Sequence, residues 1–110
     1  MDWKRCKIEV AVPENAVAAV LQAMGDAGAG TIGEYSHCSF VISGIGRFTA
    51  SAGANPAIGR AGEASIVPEQ CIQTWCDRAQ VHGVIRAIRA THPYEEPVIY
   101  IIPLADEDRV

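Results

Sequence analysis

The sequence has little basic charge and no basic cluster. Nine Lys and Arg stand against 13 Asp and Glu, which gives a net charge of −4. The single basic run, Lys4-Arg5-Cys6-Lys7, lies at the start of the chain. Proteins that bind nucleic acids neutralise phosphates with clustered Lys and Arg. The charge pattern therefore argues against a nucleic-acid partner.

Long apolar runs are also missing. No run reaches the roughly 20 residues that a membrane-spanning helix needs, and the segment Met1–Arg5 lacks the apolar stretch of a signal peptide. None of the four cysteines forms a C-x-x-C pair, so the ligand spacing of a structural zinc site is absent. We expect reduced thiols, no membrane partner and a cytoplasmic protein.

The remaining composition predicts one globular domain. The chain has 110 residues, of which 49% are hydrophobic and 20% charged. This length allows one hydrophobic core but not two. We expect a single domain over residues 1–110, with its core over about 6–104.

The first half of the chain predicts a strand, a helix and a second strand. Residues 6–12 alternate between apolar and polar, as in a half-buried strand. An apolar stripe at helical spacing follows, formed by Val17, Val20, Leu21 and Met24. Residues 35–43 predict the second strand, with Cys38, Phe40 and Ile42 facing the core. Tyr35, His37, Ser39 and Val41 would share the opposite face.

The second half predicts a return strand, a helix and a last strand. Gly44-Ile45-Gly46 predicts a turn, residues 47–50 the start of the returning strand, and residues 51–62 a long loop. Residues 63–76 predict a strand broken near Pro68. Asp77 is a suitable N-cap for a helix with the stripe Val81, Val84, Ile85 and Ile88. The last strand covers residues 98–102.

This order predicts an α+β protein with the ferredoxin-like βαββαβ arrangement. An antiparallel sheet would carry two helices on one face and a long loop in its central hairpin. The last strand is apolar on both sides, since Val98, Tyr100 and Ile102 alternate with Ile99 and Ile101. Another subunit is the simplest cover for the second face, so we expect a homo-oligomer.

The segment His92-Pro93-Tyr94-Glu95-Glu96-Pro97 concentrates reactive side chains between two prolines. We call it the proline corner, because each proline fixes its own φ and restricts the residue before it. Imidazole nitrogen and carboxylate oxygen suit a divalent metal, which makes His92, Glu95 and Glu96 candidate ligands, with His37 or a second subunit completing the set. The alternative is a rigid connection in which Tyr94 fills a gap between subunits.

Several motifs in fixed order carry a resemblance to a known family. They are Ala27-Gly28-Ala29-Gly30 with Ile32-Gly33, Gly44-x-Gly46-x-Phe48, Gly53-Ala54-Asn55-Pro56-x-Ile58-Gly59 and the proline corner. Over roughly residues 7–104 the chain resembles the PII-like domain inserted in the YqfO branch of the NIF-three-like family. The corner also resembles the His-Pro-Tyr-Glu-x-Pro motif of the CutA divalent-cation-tolerance family.

The resemblance implies a fold and an assembly more than a reaction. CutA and PII proteins share the βαββαβ architecture and assemble as trimers, so a trimer is favoured here, with a dimer as the alternative. The two metal ions of YqfO-type proteins are held by flanking domains, whose ligands have no counterpart in this sequence. In PII proteins the long central loop takes part in binding ligands and partners.

By that analogy, the loop is a candidate binding element. Backbone N–H groups in glycine-rich loops can hold anions, although no phosphate-binding motif is present. The candidate ligand-binding residues are Gly44, Gly46, Asn55, Gly59 and Tyr94. The alternative is a hairpin that packs on the next subunit.

These features predict a regulatory or homeostatic protein that binds a small ligand or a divalent metal ion, without catalysis. One alternative is an interaction module that docks on a separate metal-centre protein. The other is a small hydrolase in which His92 acts as general base and Glu95 or Glu96 orients it. No nucleophile, oxyanion donors or cofactor motif accompanies that pair.

Overall fold

The computed structural model describes residues 2–110 and has a four-stranded antiparallel sheet with two helices. Its elements are β1 (Arg5–Pro13), α1 (Val17–Asp26), β2 (Phe40–Thr49), β3 (Ala64–Asp77), α2 (Val81–Thr91) and β4 (Ile99–Pro103). The strand order is β2-β3-β1-β4, and all neighbours are antiparallel. This confirms the predicted α+β, βαββαβ fold.

The core lies between one face of the sheet and the two helices. Every second residue of β1 is fully buried, namely Cys6, Ile8, Val10 and Val12. The stripe residues Val17, Val20 and Met24 of α1 and Val81, Val84 and Ile88 of α2 cover them. In β3, Ile72, Thr74 and Cys76 point into the same layer, because side chains alternate along a strand.

The predicted course of the central hairpin is wrong in two places. β2 begins at Phe40 and continues through the predicted turn at 44–46 as far as Thr49, so residues 47–49 belong to the same strand. β3 is not broken at Pro68 either. Its pairing with β1 ends at Glu69, beyond which β3 has a neighbour on one side only, a setting in which strands tolerate proline.

The predicted orientation of β2 is reversed. Val41 lies opposite the buried Ile72 and packs against the core, while Phe40 is 65% exposed and Ile42 also lies on the outer face. Residues 35–39 precede the strand, and His37 has a left-handed φ of 57° that no strand accommodates. Pairing with β3 fixed the register, and a one-residue change of register moves every side chain to the other face.

The two helices leave the opposite face of the sheet without a helical layer. We call that face the open face. Its exposed apolar residues are Phe40 and Ile42 on one edge strand, and Val98, Tyr100 and Ile102 at the other. Its centre is polar, since Lys7 and Glu9 form an ion pair of 2.9 Å. The last strand is therefore apolar on both sides, with Ile99 and Ile101 packed against the core.

The β2–β3 hairpin extends beyond the rest of the sheet as a two-stranded arm. Five residue pairs, from Ile45↔Pro68 to Thr49↔Ala64, continue the ladder after β1 has ended. The loop between the two strands covers residues 50–63, close to the predicted 51–62. The arm gives the molecule its elongated shape of 48 × 27 × 22 Å.

All four cysteines are free thiols. The Sγ atoms of Cys6 and Cys76 lie 3.8 Å apart in the core, and burial raises the pKa of the Cys76 thiol to about 12. Cys38, predicted in the core, is half-buried. Among residues 2–110, no helix has the length and apolar character to cross a membrane.

Candidate ligand-binding cleft

The proline corner starts where α2 ends, and its histidine is fixed inside the protein. His92 is 7% exposed. Its Nε2 lies 2.8 Å from the carbonyl oxygen of Ala11, and its Nδ1 accepts the backbone N–H of Tyr94 at 3.1 Å. A ring nitrogen that faces a carbonyl must donate, so Nε2 carries the proton and Nδ1 does not. Both nitrogens are therefore occupied by backbone partners.

Tyr94 connects the corner to the arm. Its hydroxyl donates to Glu69 Oε2 at 2.6 Å. The centroid of its ring lies 4.8 Å from that of the His92 ring and 6.2 Å from that of the Phe48 ring. Burial and the adjacent Glu69 carboxylate raise the pKa of Tyr94. The phenol thus stays protonated and acts as a fixed hydrogen-bond donor.

A second contact connects the corner to the long loop. Glu95 Oε2 accepts the backbone N–H of Asn55 at 2.9 Å. The Glu69 carboxylate lies directly over Gly46, where a Cβ atom would overlap it. A side chain at position 46 would displace the Glu69 carboxylate, which accepts the hydrogen bond of Tyr94.

These elements enclose a cleft of about 480 Å³ on the open face. Ala11 lies on β1, Val98 and Tyr100 lie at β4, and Gly46 and Phe48 lie on the arm. The loop contributes Ala54, Pro56, Ala57 and Ile58. The corner contributes Tyr94, Glu95 and Glu96, and β3 contributes Glu69. The walls are thus mainly apolar, with a few carboxylates and one phenol.

His37 belongs to a different part of the molecule. Its Nε2 lies 2.9 Å from Asp26 Oδ1 and its Nδ1 lies 2.9 Å from Ser36 Oγ. The hydrogen bonds that His37 and Gln22 make to the Asp26 carboxylate, at the last residue of α1, lower the pKa of Asp26. The His37 ring also lies against Gly25, so it fixes the connection after α1. It shares none of these contacts with the corner.

The structure brings together part of the predicted site. The residues that line the cleft are Gly46, Tyr94, Glu95 and Glu96. Asn55 donates its backbone N–H to Glu95. Gly44 and Gly59 do not line it. Within residues 2–110, no group of three or more His, Cys, Asp or Glu is placed to hold a metal ion. The metal site stays a prediction that would need ligands from a second subunit.

Sequence reasoning missed the apolar walls. Ala11, Phe48 and Tyr100 come from three different strands, and Val98 directly precedes β4. The alternation of residues 6–12 puts Ala11 on the outer face of β1, but only the strand order brings it into the same cleft as Tyr94 and Tyr100. A small residue at an outward position of a strand was the available signal, and by itself it is too common to indicate a cleft.

Comparison with known sequences identifies relatives over nearly the whole chain. No protein-family model matches it. The "GTP cyclohydrolase 1 type 2 homolog" of Halalkalibacterium halodurans is 43% identical over 101 residues, which cover 92% of this chain and 27% of that protein. The Bacillus subtilis protein of the same name is 44% identical over 98 residues, covering 89% and 26%. The chain spans about a quarter of the length of these relatives.

Comparison with solved structures also finds a NIF3-related protein, together with proteins that share the fold. A Bacillus cereus protein related to NIF3 superimposes with a TM-score of 0.82 at 36% identity, covering 94% of this chain and 26% of that chain. CutA1 from Shewanella sp. SIB1 has a TM-score of 0.70 at 13% identity, covering 96% and 86%, which shows a shared fold alone. The resemblance read from the motifs is confirmed: the chain is a homologue of the PII-like, CutA-like segment of the NIF3-related proteins.

Proposed function

We propose that the protein is a homo-oligomeric binding protein that holds a small ligand in the cleft between the proline corner and the long loop. Its role would be regulatory or homeostatic, in the cytoplasm and without catalysis. The observation that carries the proposal is the cleft itself, where the arm, the loop and the corner meet around apolar walls.

The cleft has the size and character of a ligand site. Ligand pockets commonly have roughly 300–1,000 Å³ and are lined by apolar and aromatic side chains with a few placed polar groups. Here, hydrogen bonds fix two of the polar groups in advance, Tyr94 on Glu69 and Glu95 on Asn55. A site that is ordered before binding loses less conformational entropy when the ligand enters.

The geometry of His92 favours ligand binding in the cleft over the two alternatives, hydrolysis and metal binding at the corner. A general base needs a free ring nitrogen within reach of a substrate proton, and a metal ligand needs a free lone pair. Both nitrogens of His92 face backbone groups. The hydrolase alternative therefore lacks its base, and a metal at the corner would have to rely on carboxylates and on a neighbouring subunit.

A fragment screen tests the cleft. We expect small aromatic amines, alcohols and carboxylates in a mixed library to shift amide resonances around Ala11, Gly46 and Tyr94 in two-dimensional NMR spectra. Ala11→Phe places a ring in the cleft and is expected to weaken binding about tenfold or more, since the apolar contact area is lost. Ala52→Phe, on an exposed loop residue that does not line the cleft, is the control.

Two results would contradict the proposal. Fragments that bind elsewhere on the protein, with unchanged affinity in Ala11→Phe, would remove the cleft as the site. A screen in which no fragment binds would have the same consequence.

The oligomer is proposed from the open face. Its apolar edges, with Phe40 and Tyr100 each more than half exposed, flank the polar centre formed by Lys7 and Glu9. Exposed apolar area of this kind is a feature of interfaces. A trimer is favoured because the resemblance to the CutA and PII families implies it.

A single charge on the open face tests the assembly. We expect the wild type to be a trimer in light scattering coupled to size-exclusion chromatography. We expect Ile42→Lys to dissociate the trimer, because burying an unpaired ammonium group in an interface costs roughly several kcal/mol. Ala18→Lys, on the exposed side of α1, adds the same charge and should leave the trimer intact. A monomeric wild type would contradict the proposal and favour docking on another protein.

A further inference from the structure

We propose that the cleft selects an organic ammonium cation, a small molecule with an apolar or aromatic body and a protonated amine. This inference rests on the proposed function, because it names the chemical class of the ligand that the same cleft would take. The argument depends on which charges face the cleft and on the rings beside them.

Three carboxylates line the cleft, and each has an oxygen that makes no bond within residues 2–110. Glu69 uses Oε2 for the Tyr94 hydroxyl, and Glu95 uses Oε2 for the Asn55 amide. Glu96 makes no hydrogen bond or ion pair in this part of the chain, and none of the three carboxylates is paired with Lys or Arg there. The cleft therefore holds uncompensated negative charge.

Three aromatic rings line the same space, those of Phe48, Tyr94 and Tyr100. Ring faces attract cations, and aromatic residues with a nearby carboxylate are the usual surroundings of alkylammonium groups in proteins. An ammonium group can thus contact a ring face and a carboxylate at once. The alanine, isoleucine and valine walls would then contact the hydrocarbon part.

Arg47 is the residue that argues for an anion instead. It is the one basic residue among those lining the cleft. However, Gly46 and Phe48 point to the open face, and side chains alternate along a strand. The alternation therefore directs the Arg47 side chain to the side of the arm opposite Phe48. The net charge of the side chains that face the cleft is therefore negative.

The apolar walls also decide between an organic and a bare inorganic cation. A metal ion needs several nitrogen, oxygen or sulfur ligands around it, and among the described residues no such set converges. An organic ammonium ion needs one or two carboxylates and an apolar surface for the rest of the molecule. The cleft supplies that combination.

Three probes of nearly equal shape test the class: 2-phenylethylamine as the cation, 2-phenylethanol as the neutral form and phenylacetate as the anion. We measure their dissociation constants at pH 7 by NMR titration of the wild type. We expect the amine to bind about tenfold more tightly than the alcohol, from one exposed carboxylate contact and one cation–π contact. Phenylacetate is expected to bind most weakly.

Paired variants locate the charge effect. Glu95→Gln/Glu96→Gln removes two charges from the cleft and keeps the amide oxygens that can accept a hydrogen bond. We expect it to reduce the advantage of the amine over the alcohol to about threefold, while binding of the alcohol is unchanged. Glu14→Gln/Glu34→Gln removes the same net charge from exposed positions that do not line the cleft and should preserve the advantage.

Each other outcome has a definite meaning. Equal affinity for the three probes, or tighter binding of phenylacetate, overturns the cation preference and leaves the cleft as a ligand site. An amine advantage that falls equally in both paired variants reflects net charge alone and also overturns it. If none of the probes and no library fragment binds in the cleft, the proposed function fails with it.

Discussion

Gly30→Ala is expected to reduce the free energy of unfolding by roughly 3 kcal/mol or more, measured by urea denaturation. Gly30 has φ of +76°, a conformation that costs a residue with a Cβ atom about 1 kcal/mol. The added Cβ would also overlap the backbone of Cys38. That backbone cannot simply move away, because Cys38 N donates to Gly30 O at 3.0 Å and Thr74 Oγ1 donates to Cys38 O at 2.8 Å.

Gly33→Ala is the matched control for this substitution. Gly33 also has a positive φ, of +55°, but nothing lies within 4 Å of the position of a Cβ atom. We expect only the conformational cost of about 1 kcal/mol. Equal losses in the two variants would show that the close contact between Gly30 and Cys38 does not constrain the connection between α1 and β2.

His92→Ala is expected to cost roughly 3 kcal/mol in the same measurement. The change removes a buried ring, leaves a cavity and strips the Ala11 carbonyl and the Tyr94 amide of their partner. Since the Ala11 carbonyl belongs to β1 and Tyr94 to the corner, the corner would lose one of its attachments to the sheet. Ligand binding in the cleft should weaken along with stability.

His82→Ala separates this effect from the loss of a histidine as such. His82 is an exposed residue of α2, and its replacement should change stability by less than about 0.5 kcal/mol. Metal analysis of the same purified samples completes the comparison. Stoichiometric zinc or copper in the wild type that is lost in His92→Ala, while stability is unchanged, would contradict the structural role and support the metal site.

The sequence by itself determined the order of elements and the core. The alternation of residues 6–12 and the stripes of both helices predicted the buried side chains of β1, α1 and α2, because those periods report directly which face is apolar. The motifs around Gly28, Gly44 and the proline corner also predicted the family correctly. The sequence also predicted a restricted backbone for the corner, since each of its two prolines fixes its own φ.

Local sequence could not determine the course of β2. Gly44 and Gly46 predict a turn because glycine allows one, yet both lie in a strand. Pairing with Glu69 and Val67 across the ladder outweighs the intrinsic preference of glycine. The orientation of Phe40 and Val41 was missed for a related reason: both faces of that strand are apolar in sequence, and only the register on β3 selects Val41 for the core.

Only the tertiary structure assembles the walls of the candidate cleft. Ala11, Phe48, Glu69 and Tyr100 are far apart in sequence, and the strand order β2-β3-β1-β4 brings them to one place on the open face. The same topology put His92 beneath the cleft, with both nitrogens on backbone groups, and put His37 beside Asp26. The sequence thus supplied the reactive residues of the corner. The packing of distant strands decided which of them are held by backbone hydrogen bonds and which line the candidate cleft, because hydrogen-bond partners and cleft walls are long-range properties.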